Sequence, residues 1–366
     1  MKAIFYLLDG DTNASSRQRV LQFLPWLRRE GIEAVVSRPV PAVVYERLVE
    51  RGTGRLPQKA GFYSVFLACR LRDVVRARQF DVAVVQRDLF PFGPPWLERL
   101  LMRRAHNLVY DTDDATYLRP VFTPSTPMQR LRRFDKVADV VRCARWVSVA
   151  TEPIAAWARQ HNSRVDVVPM CVDMREYEAV SREPSALSRQ LSDGPLVIGW
   201  AGTAGGLGYL EQLGPVLRDL AHEHDFVLRV VSGGYRKLHM PGVPLDPRPW
   251  TGLADLASFD IGLVPLDDTP FERAKFPFKL LQYLALGVPA VAARVGVAAE
   301  VIADGDNGLL AASPDAWREH LKRLLADADL RQRLATAGRQ TVRERYTLER
   351  VAPLLLRGLM GAASRR

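Results

Sequence analysis

The stretch Phe271–Glu300, FERAKFPFKLLQYLALGVPAVAARVGVAAE, decides the fold, because it predicts one short helix followed at once by a buried strand. Pro277 suits a first helical position and Gly287 a position just past the last turn. Lys279 and Gln282 share a helix face near the N–H groups that the first turn leaves free. Partial positive charge there, with a lysine beside it, favours an anion. A strand directly after the helix places the site in an α/β sheet, where ligands bind at strand carboxyl ends.

Taken alone, this pattern also fits a packing helix with a solvated lysine. The string KLLQYLALGVPAVAARVGVAAEVI (279–302), however, resembles the donor-site signature of the retaining GT-B glycosyltransferases, a family that includes sucrose synthase and bacterial mannosyl- and glucosyltransferases. Further segments resemble parts of that family in the same order: SSRQRVLQFLPWLRREGIEA (15–34), LVYDTDDATYL (108–118), WVSVATEPIAAWARQHNSRVDVVPMCVD (146–173), LVIGWAGTAGGLGYLEQL (196–213), DIGLVPLDDTPFERAKFPFKLLQYLALG (260–287) and RERYTLERV (343–351).

The resemblance implies an α/β fold of GT-B type, in which two Rossmann-like domains with doubly wound parallel sheets face each other across a cleft. It also implies a nucleotide-sugar-dependent glycosyltransferase of hexosyltransferase type. Such an enzyme moves a sugar from a nucleotide diphosphate sugar to a glycan or lipid-linked acceptor, with retention, in the synthesis of cell envelope polysaccharide. No metal is expected, and no cofactor besides the nucleotide sugar as co-substrate.

Alternating apolar and helical stretches in both halves support doubly wound parallel sheets. The polar stretch from Pro169 to Pro195 predicts an inter-domain linker. We expect an acceptor-binding domain at residues 1–175, a donor-binding domain at 176–346, and a helix at 347–366 that, by resemblance, returns to the first domain. The predicted strands are Ala3–Leu8, Ala34–Val36, Val82–Val85, Leu108–Tyr110, Trp146–Val149 and Val165–Val168, then Leu196–Trp200, Val227–Val231, Ile261–Val264 and Pro289–Ala292.

The composition is that of a soluble globular protein, with 366 residues, 48% hydrophobic and 25% charged. Cys69, Cys143 and Cys171 are far apart and form no CxxC pair, which argues against a disulfide framework or a zinc site and favours a reducing cytoplasm. The first apolar run is short and is followed by Asp9 and Asp11, so we expect neither a signal peptide nor a membrane span.

The excess positive charge lies entirely in the first half of the chain. Residues 1–175 contain 28 Lys and Arg against 18 Asp and Glu, a net charge of +10, whereas residues 176–366 contain 23 of each. A basic domain suggests an anionic surface or substrate, and Trp96–Arg104 and Arg130–Lys136 place arginines beside apolar residues, as in helices on anionic membranes. Peripheral membrane binding and simple solvated basic faces both remain open. Nucleic acid is not an expected partner.

Three carboxylates, Asp111, Asp113 and Asp114, follow a predicted strand. In metal-dependent GT-A enzymes a DxD motif holds a divalent cation, but the GT-B resemblance places this loop on the acceptor side without a metal. We therefore expect Asp113 or Asp114 to orient an acceptor hydroxyl or accept its proton, and Asp111 to contact the acceptor. A turn with an Asp cap is the structural alternative.

The first loop, LLDGDT, resembles the DxDxT nucleophile loop of haloacid-dehalogenase phosphatases in the spacing of Asp9 and Asp11. The lysine and second acidic pair that such phosphatases need have no convincing counterpart, so the GT-B interpretation is preferred. It predicts a helix capped by Ser15 or Ser16, with Ser16, Arg17 and Arg19 on the acceptor side.

Donor binding is predicted at Gly202 and Thr203, at Lys275 and Lys279, and at the acidic and amide positions Glu272, Gln282 and Glu300. Glycines after a strand let backbone approach a pyrophosphate, while the resemblance makes Lys279 the group that stabilises the leaving diphosphate. The chain lacks the Arg–Lys pair that many relatives carry after Gly202, and it has Gln282 where they carry a ribose-binding Glu.

Three other functions stay open beside glycosyl transfer. A GT-B sugar-nucleotide epimerase would share the fold and the donor helix. A haloacid-dehalogenase-type phosphatase and a non-catalytic binding partner are the remaining alternatives.

Overall fold

The computed structural model describes residues 1–8, 13–39, 44, 56–90, 92–119, 133–181, 194–234 and 238–364. The chain forms two compact units. The N-terminal unit takes its described residues from Met1–Arg119, Pro124–Met170 and Leu348–Arg366, and the C-terminal unit from Cys171–Thr347. Part of the predicted linker, residues 182–193, lies outside the described residues, while Met174–Ser181 within it forms a helix.

Each unit is built on one parallel sheet of six strands, as the sequence predicts for the first unit, whereas only four of the six strands were predicted for the second. The first sheet has the order β2-β1-β3-β4-β5-β6 and consists of β1 Lys2–Leu7, β2 Glu33–Ser37, β3 Val82–Gln86, β4 Leu108–Thr112, β5 Trp146–Val149 and β6 Val165–Val167. The second has the order β12-β11-β10-β7-β8-β9 and consists of β7 Leu196–Ala201, β8 Phe226–Val231, β9 Leu245–Arg248, β10 Ile261–Val264, β11 Ala290–Ala293 and β12 Leu309–Ala311.

Helices connect the strands in both units. Those of the described residues are α1 Ala14–Arg19, α2 Leu24–Arg29, α3 Leu56–Val75, α4 Trp96–Arg104, α5 Lys136–Cys143, α6 Glu152–Arg159, α7 Met174–Ser181, α8 Leu207–Glu211, α9 Gly214–Ala221, α10 Leu253–Ala257, α11 Pro270–Ala274, α12 Phe278–Leu286, α13 Ala298–Val301, α14 Pro314–Ala326, α15 Ala328–Arg345 and α16 Leu348–Ala363, with 3₁₀ turns at Leu21–Phe23, Arg76–Gln79 and Ala204–Gly206. Among them, none is long and apolar enough to cross a membrane.

The strand sequences explain the sheets. Every residue of β3, VAVVQ, is buried, as expected for parallel strands covered by helices on both faces. The helix α16 belongs to the N-terminal unit and packs against β5 and α2. A Cβ atom on Gly358 of this helix would lie 2.0 Å from the Trp146 ring, so only glycine permits this approach.

Strand order reverses between β1 and β3 in the first sheet and between β7 and β10 in the second. Ligands of doubly wound sheets bind outside the carboxyl ends of the strands at such switch points. These two places are therefore the first to search for functional side chains.

Candidate functional site

Helix α12, on which the sequence predicts donor binding, ends where predicted and begins one residue later than predicted. Pro277 is its N-cap rather than its first helical residue, and Gly287 ends it in the left-handed conformation with φ of 73°. The Gly287 N–H donates to the Leu284 carbonyl at 3.0 Å, which satisfies a carbonyl that the helix end would leave free. Buried leucines of α12 pack it against α15 and α7 and so fix its first turn.

Trp200 lies beneath the first turn of the loop that follows β7, and its side chain is fully buried. A Cβ atom on Gly202 would lie 2.6 Å from the Trp200 ring, so glycine is needed for the backbone to pass over the indole. The Trp200 Nε1 is buried and has no hydrogen-bond partner among the described residues. Thr203 is exposed and starts the 3₁₀ turn, its carbonyl accepting from the Gly206 N–H at 2.9 Å.

Lys279 extends from α12 over this tryptophan. Its Nζ lies 4.5 Å from the centroid of the Trp200 ring and 3.3 Å from the position that a Cβ on Gly202 would occupy. Within the part of the chain that the structure describes, the ammonium has neither a carboxylate partner nor a hydrogen-bond acceptor. Burial and the nearby charge of Lys275 lower the pKa of Lys279 to about 7. A cation in this position is poised to receive an anion from solvent.

Tyr283, one turn after Lys279, fixes the helix to the sheet. Its hydroxyl accepts a hydrogen bond from the Ala201 N–H at 2.9 Å, and its ring lies against β10, where a Cβ on Gly262 would approach it to 2.6 Å. Sequence analysis did not identify Tyr283 or the tryptophan under Lys279. The i, i+4 spacing from Lys279 is the signal that could have indicated Tyr283.

Gln282 and Lys275 lie near Lys279 with their side chains half-buried. Neither has a side-chain hydrogen bond or ion pair among the described residues, so both are available to a ligand. Glu300 is exposed in the short helix α13.

Glu272 has a different environment from the one that sequence predicts. Its side chain is buried, and the residue is 1% exposed. One carboxylate oxygen accepts from the Tyr209 hydroxyl and the other from the hydroxyl of Thr269, the N-cap of α11. Because both oxygens are engaged inside the fold, direct contact of Glu272 with a donor does not follow from the structure, and we assign it to holding α11 in place.

At the switch point of the N-terminal unit, Asp113 is held by a residue that sequence analysis missed. The Arg87 Nε donates to Asp113 Oδ1 at 2.9 Å and Nη2 to Oδ2 at 3.0 Å. Ser15 Oγ also donates to Asp113 Oδ1, at 2.6 Å. Burial acts to raise the pKa of Asp113, but the charge and hydrogen bonds of Arg87 and the Ser15 hydrogen bond outweigh it, so this pKa lies below its usual value.

Asp114 shares Arg87 with Asp113 and is more accessible. The Arg87 Nη2 donates to Asp114 Oδ2 at 2.5 Å, and the Asp114 side chain is 24% exposed. No donor reaches Asp114 Oδ1 within the described part of the chain. A basic residue at the carboxyl end of β3, beside the strand that precedes the aspartates, is the signal that could have indicated Arg87.

Arg19 and Asp111 form a buried ion pair. The Arg19 Nε donates to Asp111 Oδ2 at 3.1 Å and Nη2 to Oδ1 at 2.5 Å, with side chains 1% and 4% exposed. Arg19 also donates to the Val168 carbonyl and the Ser148 hydroxyl. The acceptor contacts predicted for these two residues therefore do not follow from the structure, because each is enclosed and bonded to the other.

The start of α1 also differs from the prediction. Asn13 is its N-cap, accepting from the Ser15 N–H at 2.8 Å, whereas Ser15 and Ser16 lie inside the helix and are buried. Arg17 is exposed on its surface. Asp9 and Asp11, on which the phosphatase interpretation depends, lie outside the described residues.

The N-terminal unit contains the carboxylates and the basic helix α4 that sequence analysis singled out. In the described ranges, no group of three His, Cys, Asp or Glu side chains is placed to hold a metal ion. The apolar residues Leu97 and Leu101 of α4 face the core. What α4 presents to solvent is Trp96, 42% exposed, and the exposed arginines Arg99 and Arg103.

A family model matches one segment of the C-terminal unit. The model described as "Glycosyl transferases group 1" matches residues 264–341, which contain the whole of α12 with Lys279 and Gln282. Together with the two parallel sheets, this match supports the resemblance recognised in the sequence. Over this segment the chain is similar to group 1 glycosyltransferases, and its fold is of GT-B type. Comparison with curated proteins gives no match.

Solved structures of glycosyltransferases share the fold of this chain over nearly its whole length. A glycosyltransferase from Rickettsia africae is 12% identical with a TM-score of 0.70, covering 100% of this chain and 99% of that one. Sucrose-phosphate synthase from Thermosynechococcus elongatus is 15% identical with a TM-score of 0.70, covering 99% and 100%. The Anabaena protein HepE in complex with UDP-glucose is 16% identical with a TM-score of 0.65, covering 98% and 99%.

Proposed function

We propose that this glycosyltransferase transfers a hexose from a nucleoside diphosphate sugar, with UDP-glucose the first donor to test, to a glycan or lipid-linked acceptor with retention. The donor binds at the switch point of the C-terminal unit and the acceptor at that of the N-terminal unit. The solved complex of HepE with UDP-glucose supports this choice of donor.

One observation carries the proposal, namely the Lys279 ammonium beside Gly202 with no anionic partner among the described residues. A half-buried cation without a counter-ion is costly, and a diphosphate at the end of β7 would supply that counter-ion. Negative charge grows on the diphosphate as the glycosidic bond breaks, so Lys279 stabilises the transition state more than the ground state. Gln282 then hydrogen-bonds the ribose hydroxyls, since an amide can both donate and accept.

On the acceptor side, Asp114 has a free oxygen and partial exposure, so it orients the acceptor hydroxyl and accepts its proton. Asp113 is bonded to Arg87 and Ser15 and supports Asp114. No metal is needed because Lys279, Lys275 and the Gly202 loop meet the charge of the diphosphate. Transfer that is unchanged by EDTA would agree with this; abolition by EDTA and recovery with Mn²⁺ would reject it.

The protein acts in the cytoplasm, at the anionic inner face of the membrane, in the synthesis of envelope polysaccharide. Support comes from the first 175 residues, which contain 28 basic and 18 acidic residues. The exposed arginines of α4 add to it. This contact is electrostatic, because the leucines of α4 are turned inward.

The test of donor binding is a thermal-shift series with UDP, GDP, ADP, CDP and dTDP. A nucleotide at about 100 times its dissociation constant adds about 2.7 kcal/mol to the free energy of unfolding. We expect UDP to give the largest shift and Lys279→Ala to remove it. The matched control is Lys322→Ala, a lysine of the same unit whose ammonium pairs with Glu223 on the surface. Absence of any shift with all five nucleotides would reject the proposal.

A further inference from the structure

Arg87 has a backbone conformation that an ordinary side chain rarely adopts. Its φ is 66°, and it is the residue other than glycine with positive φ in the described part of the chain. Such a conformation is unfavourable and persists only where the surroundings impose it. Here the Arg87 N–H donates to the Asp111 carbonyl at 2.9 Å, which continues the ladder of β3 and β4 past the end of the strands. This conformation places the Arg87 guanidinium within hydrogen-bond distance of Asp113 and Asp114.

The guanidinium gives those aspartates different environments. Asp113 receives two hydrogen bonds from Arg87 and one from Ser15, and its side chain is 10% exposed. Asp114 receives one bond from the same Nη2 atom and keeps Oδ1 without a donor among the described residues. Two adjacent carboxylates would otherwise repel each other, and Arg87 removes that repulsion by bridging them.

A second observation points to the same place. Gln86, the last residue of β3, is fully buried and donates from Nε2 to Ser15 Oγ at 2.6 Å. Its Oε1 is buried without a hydrogen-bond partner in the described structure. A buried amide oxygen without a donor is unusual in a folded protein. Gln86 thus connects the end of β3, directly before Arg87, to Ser15, which itself donates to Asp113.

We propose that Arg87 is the positioning residue of the acceptor site, holding Asp113 as a fixed anion and turning Asp114 so that its free oxygen meets the acceptor hydroxyl. The inference rests on the proposed acceptor role of this unit. Arg87 suits the task better than lysine would, because its planar fork bonds two carboxylates in fixed directions. The strained backbone is what directs the fork there.

Two further ion pairs lie near Asp113 and Asp114 in the described part of the chain. Arg19 of α1 pairs with Asp111 of β4, and the charge of Arg19 also lowers the pKa of Asp113, to a smaller extent than Arg87 does. Asp88, next to Arg87 in the chain, pairs with Lys136 of α5. Arg87 is the cation that donates hydrogen bonds to both Asp113 and Asp114, so its removal should change the protonation of Asp113.

The first test uses no acceptor. The carboxyl carbon of Asp113 is titrated by NMR in the full chain labelled with ¹³C-aspartate, and Asp113→Asn assigns the signal. We expect Arg87→Met to raise the pKa of Asp113 by one unit or more, a change of about tenfold in proton affinity, and Arg87→Lys to restore most of the shift. An unchanged titration in Arg87→Met rejects the inference. If Arg87→Met does not fold, Arg87→Gln takes its place, because it also removes the charge and the same rise in the pKa of Asp113 is then expected.

The second test uses Arg87→Lys, which keeps the positive charge but loses the planar guanidinium that fixes the two aspartates. UDP release from UDP-glucose is followed with glucose and with water as acceptors. Arg87→Lys should lower kcat/KM for glucose by about tenfold or more while KM for UDP-glucose stays unchanged. The matched control is Arg229→Lys, since Arg229 pairs with Asp246 at comparable burial in the other unit. Equal losses in both variants, or none in Arg87→Lys, would overturn the inference. A wild-type protein that neither binds UDP nor releases it would instead reject the proposed function, and the titration would still decide the role of Arg87.

Discussion

The ammonium of Lys279 and the indole of Trp200 form a cation–π pair, with 4.5 Å between the nitrogen and the ring centroid. Such a contact contributes about 0.5–2 kcal/mol, depending on how far the pair is removed from water. It holds the charge in place but offers no proton acceptor, so the three ammonium hydrogens remain available. The pair therefore holds Lys279 beside Gly202, in the loop that follows β7.

Replacement of Lys279 should affect turnover more than donor binding. We expect Lys279→Ala to lower kcat for sugar transfer by about 100-fold or more, the scale seen when one preorganised electrostatic group is lost. UDP release from UDP-glucose measures this, and circular dichroism verifies the fold. Normal kcat and normal UDP affinity in a folded Lys279→Ala protein would show that the lysine is only a solvated charge.

Binding of UDP should weaken as pH rises. Because burial and Lys275 lower the pKa of Lys279 to about 7 from its ordinary 10.5, the free protein loses this charge above neutral pH. A bound diphosphate favours the charged form of Lys279, so binding takes up a proton. UDP affinity should therefore fall by at most about tenfold per pH unit between pH 7 and 9. Calorimetry in buffers of different ionisation enthalpy measures the proton. Lys279→Arg stays charged and should show no such dependence.

The lowered pKa of Lys279 also predicts how the stability of the ligand-free protein depends on pH. The folded-state pKa of Lys279 lies below the unfolded one, so between about pH 7 and 10.5 the unfolded chain binds more protons. The free energy of unfolding contributed by this group is lowest below pH 7 and rises through that window. Urea unfolding of wild type and Lys279→Met across this range should differ in slope, and parallel curves would contradict the prediction.

Gln282 should act mainly in donor binding. We expect Gln282→Ala to raise KM for the donor by roughly tenfold, because one hydrogen bond of about 1 kcal/mol or somewhat more is lost equally in ground and transition states. Gln282→Glu should be tolerated, since a carboxylate also accepts from a diol. A large loss of kcat with unchanged KM would assign Gln282 to the reaction step instead.

The two aspartates should fail in different ways. Asp114→Ala removes the accessible carboxylate, so we expect a folded protein with normal UDP binding and impaired use of an acceptor. Asp113→Ala leaves Arg87 without its main partner in a half-buried position, which should destabilise the fold by about 3 kcal/mol. Thermal unfolding and acceptor kinetics of both variants measure this. Weaker UDP binding with unchanged acceptor kinetics in Asp114→Ala would remove it from the acceptor site.

Anionic membranes should bind this protein in a salt-dependent way. Vesicles containing phosphatidylglycerol should retain it at low salt and release it as salt screens charges beyond ~10 Å at 0.1 M. Arg99→Glu combined with Arg103→Glu should weaken retention, while a charge reversal of Arg323, a basic residue of α14 in the C-terminal unit, should not. No flotation at low salt would reject membrane contact.

Sequence analysis missed two strands, β9 and β12, which are the two edge strands of the second sheet. β9, LDPR, contains a proline and no apolar run, and β12 has only three residues. Propensity cannot identify such segments, because pairing with a neighbouring strand is what makes them extended. The central strands were predictable because parallel strands buried on both faces are continuous apolar runs.

The sequence by itself determined the two α/β halves, the limits of α12 at Pro277 and Gly287, and the placing of Lys279 and Gln282 on one face, because these follow from periodicity and backbone chemistry close along the chain. Only the tertiary structure decided which polar groups are engaged inside the fold. Glu272 is bonded to Tyr209, which is 63 positions away, and Arg19 to Asp111, which is 92 positions away. Those pairings, like Arg87 on Asp113, arise where strands distant in sequence end side by side, and local patterns carry no information about such distances.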